Sequence, residues 1–373
     1  MMTIDRARQS GGHFSGSYDP DDVTFLLKII DMPFTDVGQK ERLIQSGRAH
    51  YSEMLSREEV PGADYLALYE RAMRHNGPRL ARHINRLAAR IAALHRPDAH
   101  LAIVSLLRAG TPIGVLVRRA LVRGGVRATH YSISIIRGRG IDRTALRHIC
   151  RNHRPDDILF LDGWTGKGAI ATELRGAAGA IAEGVEPRLF VVADPAGVAN
   201  AAATTEDYLI PSGILNGVVS GLVSRSVLND RIGVDEFHGC VILDHLAHQD
   251  ISRNFVDRIN RLAAQVDVTA VEPKEVHEGS SPAQLQAECR AMLDFIAGDA
   301  GIAQLERIKP GIAESARALL RRMPKALYLR NADDPDVAHL VLLAGQKSVP
   351  VRPLPPIARY RAVAVIDTTG EAE

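Results

Sequence analysis

The sequence predicts an α/β protein: a doubly wound, mostly parallel sheet, preceded by a helical N-terminal segment and followed by a small C-terminal α/β domain. Three observations lead there. Short, near-continuous apolar runs alternate with helical stretches from about residue 98 to 265, the pattern of parallel strands covered on both faces. A polar stretch with Pro, Gly and Ser at 266–285 lacks periodicity and reads as a linker. The 373 residues, 46% of them hydrophobic and 24% charged, are enough for two or three domains with full cores.

In the N-terminal segment, 1–97, the clearest helix runs from Arg79 to Leu94, where Leu80, Ile84, Leu87, Ile91 and Leu94 form one apolar stripe. In the core, 98–265, strands are predicted at 101–107, 129–136, 158–162 and 189–194. Helices are predicted at Pro112–Val122, from Asp142 and from Gly168. In the C-terminal domain, 286–373, helices are expected around Gln286–Ile296, at Gly311–Arg322 and at Pro335–Ala344, with strands at 325–330, Val349–Arg352 and Tyr360–Ile366. Ligands of open parallel sheets bind beyond the carboxyl ends of the strands, so the loops after Leu107, Ile136, Leu161 and Asp194 should form one cleft.

Composition narrows the function classes. With 46 Lys+Arg against 44 Asp+Glu, the net charge of +2 is too small to hold nucleic acid by bulk electrostatics, so local patches must do it. No apolar stretch reaches the roughly 20 residues of a spanning helix, and the first residues lack an apolar signal core. A cytoplasmic protein without membrane contact is expected. Cys150, Cys240 and Cys289 are scattered, which argues against a disulfide framework or a CxxC metal site.

The segment richest in chemistry is ILFLDGWTGKGAI, 158–170. An apolar strand ends in a carboxylate, and a Gly-rich turn with a hydroxyl and an ammonium opens a helix. Backbone N–H groups at Gly166 and Gly168 suit a phosphate, Thr165 and Lys167 add donors, and Asp162 can accept from sugar hydroxyls. It is not a Walker P-loop, for the GxxxxGK[ST] spacing is absent. In SLLRAGTPIG, 105–114, Arg108 offers a forked cation to a diphosphate, with Ala109 and Gly110 opening the next helix. In SIIRGRGIDR, 134–143, Arg137 and Arg139 on a Gly-rich loop can stabilise a departing diphosphate.

These three segments resemble the ribose-phosphate, pyrophosphate and flexible catalytic loops of type I phosphoribosyltransferases. Here the family's acidic pair is reduced to Asp162 followed by Gly163, and the turn is shorter. The resemblance implies transfer between 5-phosphoribosyl-1-pyrophosphate (PRPP), or a related nucleotide, and a nucleobase-like acceptor. Asp162, Arg137 and Arg139 would be catalytic, and Mg²⁺ would be held mainly through PRPP, with no direct protein ligand. The stretch 211–226, with Ser212, Gly213, Asn216 and Ser220, is either a wall of the acceptor pocket or small-residue packing against the sheet. Asp244, His245 and His248 lack a third ligand at motif spacing and read as solvated or core side chains rather than a metal site.

Over nearly its whole length the chain also resembles one bacterial family, through FSGSYDPDDVTFLLK, HYSEMLSREEVP, RAG, LDGWTGKGA and SGLVSRSVLND. That family, StiP, is linked to tellurium resistance and stress and carries a cysteine-protease label. The resemblance implies a Pelota-type RNA-binding domain at the C-terminus and a possible homodimer. PGIAESARALLRRMP, 310–324, is similar to the helix start of kink-turn-binding ribosomal proteins, which implies RNA contacts by Gly311, Glu314, Arg317 and Arg321. Two other functions stand beside transfer. One is a non-catalytic RNA-binding regulator. The other is a thiol protease, for which His238-x-Cys240 and His148-x-Cys150 are spaced so that thiol and imidazole do not converge.

Overall fold

The computed structural model describes residues 13–178, 184–266, 280–322, 324–357 and 359–367. Along the chain the N-terminal part supplies strands β1 (Thr24–Phe25) and β2 (Lys28–Ile29) and helices α1 (Val37–Gln45) and α2 (Ala63–Ala93). The core follows with β3 (His100–Leu106), α3 (Gly110–Arg123), β4 (Arg127–Ile133), the short β5 (Ile135–Ile136) and β6 (Gly140–Ile141), and α4 (Arg143–Cys150). It continues with β7 (Ile158–Trp164), α5 (Ala169–Ala178), β8 (Leu189–Ala193), β9 (Ala201–Thr204), β10 (Gly239–Cys240) and α6 (Ser252–Gln265). The C-terminal module comprises α7 (Pro282–Ala300), β11 (Ile308–Pro310), α8 (Ile312–Arg321), β12 (Pro324–Leu329), α9 (Ala338–Gln346), β13 (Val351–Pro353) and β14 (Ala362–Ile366).

Six strands form one sheet in the order β1-β4-β3-β7-β8-β9, every neighbouring pair parallel. Alternate residues feed two cores, as a pleat requires. Leu101, Ile103, Leu159 and Leu161 pack with Leu80, Ile84 and Leu87 of α2, Leu116 of α3 and Ile259 of α6. Ala102, Val104, Ile158 and Phe160 pack on the other face with Leu146 of α4 and Leu174 of α5. The doubly wound α/β class is the observed one. After β3 the chain goes to one side through β4, then returns to the other through β7, so the strand order reverses between β3 and β7. A crevice opens at that point.

Residues 13–62 depart from the helical expectation. Phe25 and its neighbour Thr24 extend the sheet edge beside Tyr131 and Ser132 of β4, and β2 pairs with β10. Helix α2 starts sixteen residues before the predicted Arg79 and carries Pro78 inside it. Gly77, just before the proline, lets α6 come close: a methyl group there would sit 3.3 Å from Leu262 Cδ1. Most of the expected linker, 267–279, lies outside the described residues, and Pro282–Leu285 already belong to α7.

The C-terminal sheet has the order β11-β14-β12-β13. One face packs on Met292 and Ile296 of α7. The other carries α8 and α9, and its apolar residues Ile312, Leu319, Leu327, Leu340 and Leu343 belong to the same continuous core as α2 and the large sheet.

Candidate functional site

At the carboxyl end of β7 the core meets the C-terminal module around a cleft of about 360 Å³. Asp162 enters it from β7. Its carboxylate accepts the N–H of Gly163 at 2.7 Å, and burial pushes its pKa up to about 7. The following turn is engaged by its surroundings. Thr165 Oγ1 donates to Asp194 at 2.5 Å, and the carbonyl of Gly166 accepts from Tyr360 Oη at 2.6 Å. The Lys167 ammonium donates to the carbonyls of Leu305 and Ile308, the latter at 3.1 Å. Gly168 has φ +89°, a conformation that glycine permits. Three of these bonds, from Tyr360 and to Leu305 and Ile308, tie the turn expected to cradle a phosphate to the C-terminal module.

From the module, Trp164 is met by a pair on α8. Its Nε1 donates to Glu314 at 3.3 Å, and the Arg317 guanidinium lies 4.6 Å from the ring centroid while donating to Glu314 at 2.9 Å. Helix α1 brings Lys40 and the fully buried Glu41, with Arg322 Nε 2.6 Å from the Glu41 carboxylate. In all, eight cationic side chains line the cleft against three carboxyl groups. Burial draws Lys40, Lys167 and Lys309 each down to about 8, and positive neighbours act in the same direction. Burial likewise brings Arg321 to about 9 and Arg225 to about 10. Arg225 Nη1 and Arg321 Nε are buried without a hydrogen-bond partner. So concentrated a positive charge favours an anion.

The loop expected to hold pyrophosphate is next to this turn and differently used. A Cβ on Gly110 would meet the Leu161 carbonyl oxygen at 2.5 Å, so the start of α3 packs directly on β7. The peptide between Leu107 and Arg108 is cis, Ala109 caps α3, and the Arg108 side chain turns to Glu58 at 2.5 Å and to the Val223 carbonyl at 3.1 Å. Burial works against the Glu58 charge, yet Arg108 and Arg321 hold the carboxyl down at about 2. The buried Arg108 is therefore neutralised inside the protein and does not line the cleft. Arg137 does line it, whereas Arg139 pairs with Glu53 and the Leu228 carbonyl elsewhere.

Of the expected acceptor residues, none lines the cleft. Ser212 is buried, Gly213 packs on Ala313 and Trp164, Ser220 donates to the Asn216 carbonyl, and the Asn216 side chain accepts from Arg321. On the module, Glu314, Arg317 and Arg321 face the cleft. Gly311, with φ +97°, is covered: the Ile312 N–H donates to both oxygens of Asp207, at 3.1 and 3.2 Å, and Arg361 N–H to the same carboxylate at 2.9 Å. A core carboxylate thus fills the anion position at the start of α8, and burial pushes it up to about 6. Lys40, Glu41, Glu58, Asp207, Arg225 and Arg322 escaped sequence reasoning, since each meets its partners across long stretches of chain.

The thiols are quiet. Cys240 is fully buried, Cys289 lies 3.4 Å from Tyr360 Oη, and Cys150 is half-buried; burial pushes all three pKa values up. His238 Nδ1 contacts Ser134 Oγ at 2.7 Å, and the His148 ring meets His13 at 4.7 Å. Among the described residues no thiol is hydrogen-bonded to a histidine and no group of three or more His, Cys, Asp or Glu could hold a metal. Nor is any helix long and apolar enough to cross a membrane.

Residues 16–260 match the family described as tellurite-like stress resistance cysteine protease StiP, and residues 287–368 match the PELOTA RNA binding domain. A relative from Acinetobacter baylyi, named cysteine protease StiP, is 41% identical over 370 residues, covering 96% of this chain and 95% of its own. Among solved structures, the hypoxanthine phosphoribosyltransferase of Trypanosoma cruzi in complex with IMP is 16% identical, with a TM-score of 0.27 over 35% of this chain and 72% of that one. A second structure of a hypoxanthine phosphoribosyltransferase from that organism gives 15% identity and a TM-score of 0.26, over 35% and 82%. These findings correct the expected activity. The full-length relative and the matching family are named as a cysteine protease, which overturns the reading of the chain as a phosphoribosyltransferase. The chain belongs to the tellurite-like stress resistance cysteine protease StiP family.

Proposed function

We propose that this chain is an RNA-binding protein of stress resistance that takes a phosphate-bearing part of an RNA into the cleft between its core and its C-terminal module. One observation carries the reading: eight cations against three carboxyl groups around about 360 Å³, contributed by α1, the core loops and the RNA-binding-type module together. Phosphates would neutralise this charge, and Trp164 with Arg317 offers a face on which a base can stack. Mg²⁺ enters only as a companion of the phosphates. The test is a fluorescence-anisotropy titration of a short single-stranded RNA against salt, with and without Mg²⁺. Lys40→Ala combined with Lys309→Ala should weaken binding at least tenfold and flatten the salt slope by roughly 0.7 for each phosphate left without its lysine. Unchanged affinity and slope in a folded double variant would refute the proposal.

The family description favours a second reading, thiol-dependent peptide hydrolysis. Cys150 is the least covered of the three thiols. A nucleophilic cysteine must ionise beside a base, and burial raises this one. Casein cleavage lost in Cys150→Ala and kept in the Lys40/Lys309 double variant would establish it. Absence of cleavage by the full-length protein, or cleavage that survives Cys150→Ala, would count against Cys150 as nucleophile.

A further inference from the structure

A second cavity, of about 280 Å³, lies where the first half of α2 meets the C-terminal module, away from the basic cleft. Its walls include Leu68 and Ala72 of α2, Leu209 of the core and Pro335 of the module. Among its lining groups His339, near the start of α9, is 1% exposed, and neither ring nitrogen has a hydrogen-bond partner. The other buried polar groups here are satisfied. Asp336 accepts from Asn76 at 2.6 Å through one oxygen and from Arg361 at 3.1 Å through the other.

An imidazole in such a place is costly without partners, because it leaves behind water that bonded both nitrogens. We propose that this cavity is a binding site for a small, uncharged, largely apolar molecule bearing one hydroxyl or amide group, which His339 recognises. The apolar walls bury the body of the ligand, and the neutral ring donates from one nitrogen and accepts at the other. Burial holds His339 neutral, down to about 3. A charged ligand is disfavoured beside His339: the buried Asp336 carboxylate is already matched by Arg361, and the other ionisable lining groups, Arg71 and His75, are exposed to solvent.

The proposal is independent of the RNA reading and is tested on the full-length protein with phenol as probe and benzene as its hydroxyl-free control. Ligand-observed NMR should show saturable phenol binding, with benzene weaker by up to about tenfold, the value of one hydrogen bond. Imidazole ¹⁵N shifts should assign the bond to His339. His339→Leu should bring phenol down to the level of benzene, and His339→Gln, which keeps a donor and an acceptor, should restore the preference. RNA affinity should stay unchanged throughout. Should His339→Leu fail to fold, the phenol/benzene contrast and the ¹⁵N shifts in the wild type decide. No binding of either probe, equal binding of the two, or unmoved His339 nitrogens would overturn the proposal and leave the ring to ordered water.

Discussion

Asp162 shows how far a single residue can be pushed by its place. Burial lifts its carboxyl to about 7, while the unfolded chain releases the same proton near 4. Between those values the folded protein binds more protons than the unfolded one, so this group's contribution falls as pH rises through the window. Asparagine keeps an oxygen to accept the Gly163 N–H and carries no charge. Asp162→Asn should therefore equal the wild type at pH 4 and be more stable by roughly 1–3 kcal/mol at pH 8. Thermal unfolding at both pH values measures this. A variant less stable than wild type at pH 8 would mean that the cleft's cations hold Asp162 ionised, contrary to its assigned state. Asp207, pushed to about 6 by the same cause, shows that such a carboxyl can serve a helix start rather than a reaction.

At the scale of elements, what could be read from the chain was what depends on near neighbours. Strands β3, β7 and β8 were legible because buried parallel strands are apolar on both faces. Thr24–Phe25 was not: two residues carry no periodicity, and only their pairing with β4 makes them a strand. The first half of α2 was hidden by Gly77-Pro78, which locally signals a break. There, packing against α6 outweighs the hydrogen bond that proline removes. The site divides in the same way. Asp162, Thr165 and Lys167 sit together in sequence, and their shared turn was anticipated, but its engagement by Tyr360 and by the Leu305 and Ile308 carbonyls was not. Arg108 looked available because Glu58, fifty residues earlier, gives no local hint that it will neutralise it. On α8 the helix itself was anticipated, yet a helix read from the chain says nothing about what covers its polar face, and here Glu314, Arg317 and Arg321 turn toward the core.

The whole molecule follows from that last point. The apolar core runs without a break from α2 and the large sheet into α8, α9 and β12. Its seam is stitched by Asp207 to Ile312 and Arg361, by Asn76 to Asp336, and by the Lys167 and Tyr360 bonds. A module attached in this way cannot swing freely. Ligand in the cleft would touch both parts at once, and module and core should lose their structure together. The protein contains its own reporter: Trp164 is the single tryptophan, and its ring lies at the seam against Glu314 and Arg317. In a urea titration, tryptophan emission and far-ultraviolet circular dichroism should change in one coincident transition. Emission shifting to the red at lower urea, while most helical signal persists, would show the module leaving an intact core. The cleft would then be a transient meeting of two domains rather than a built site. Weakening the seam with Asn76→Ala should lower the common midpoint without splitting it, since the Asp336 carboxylate loses a buried donor that both parts share.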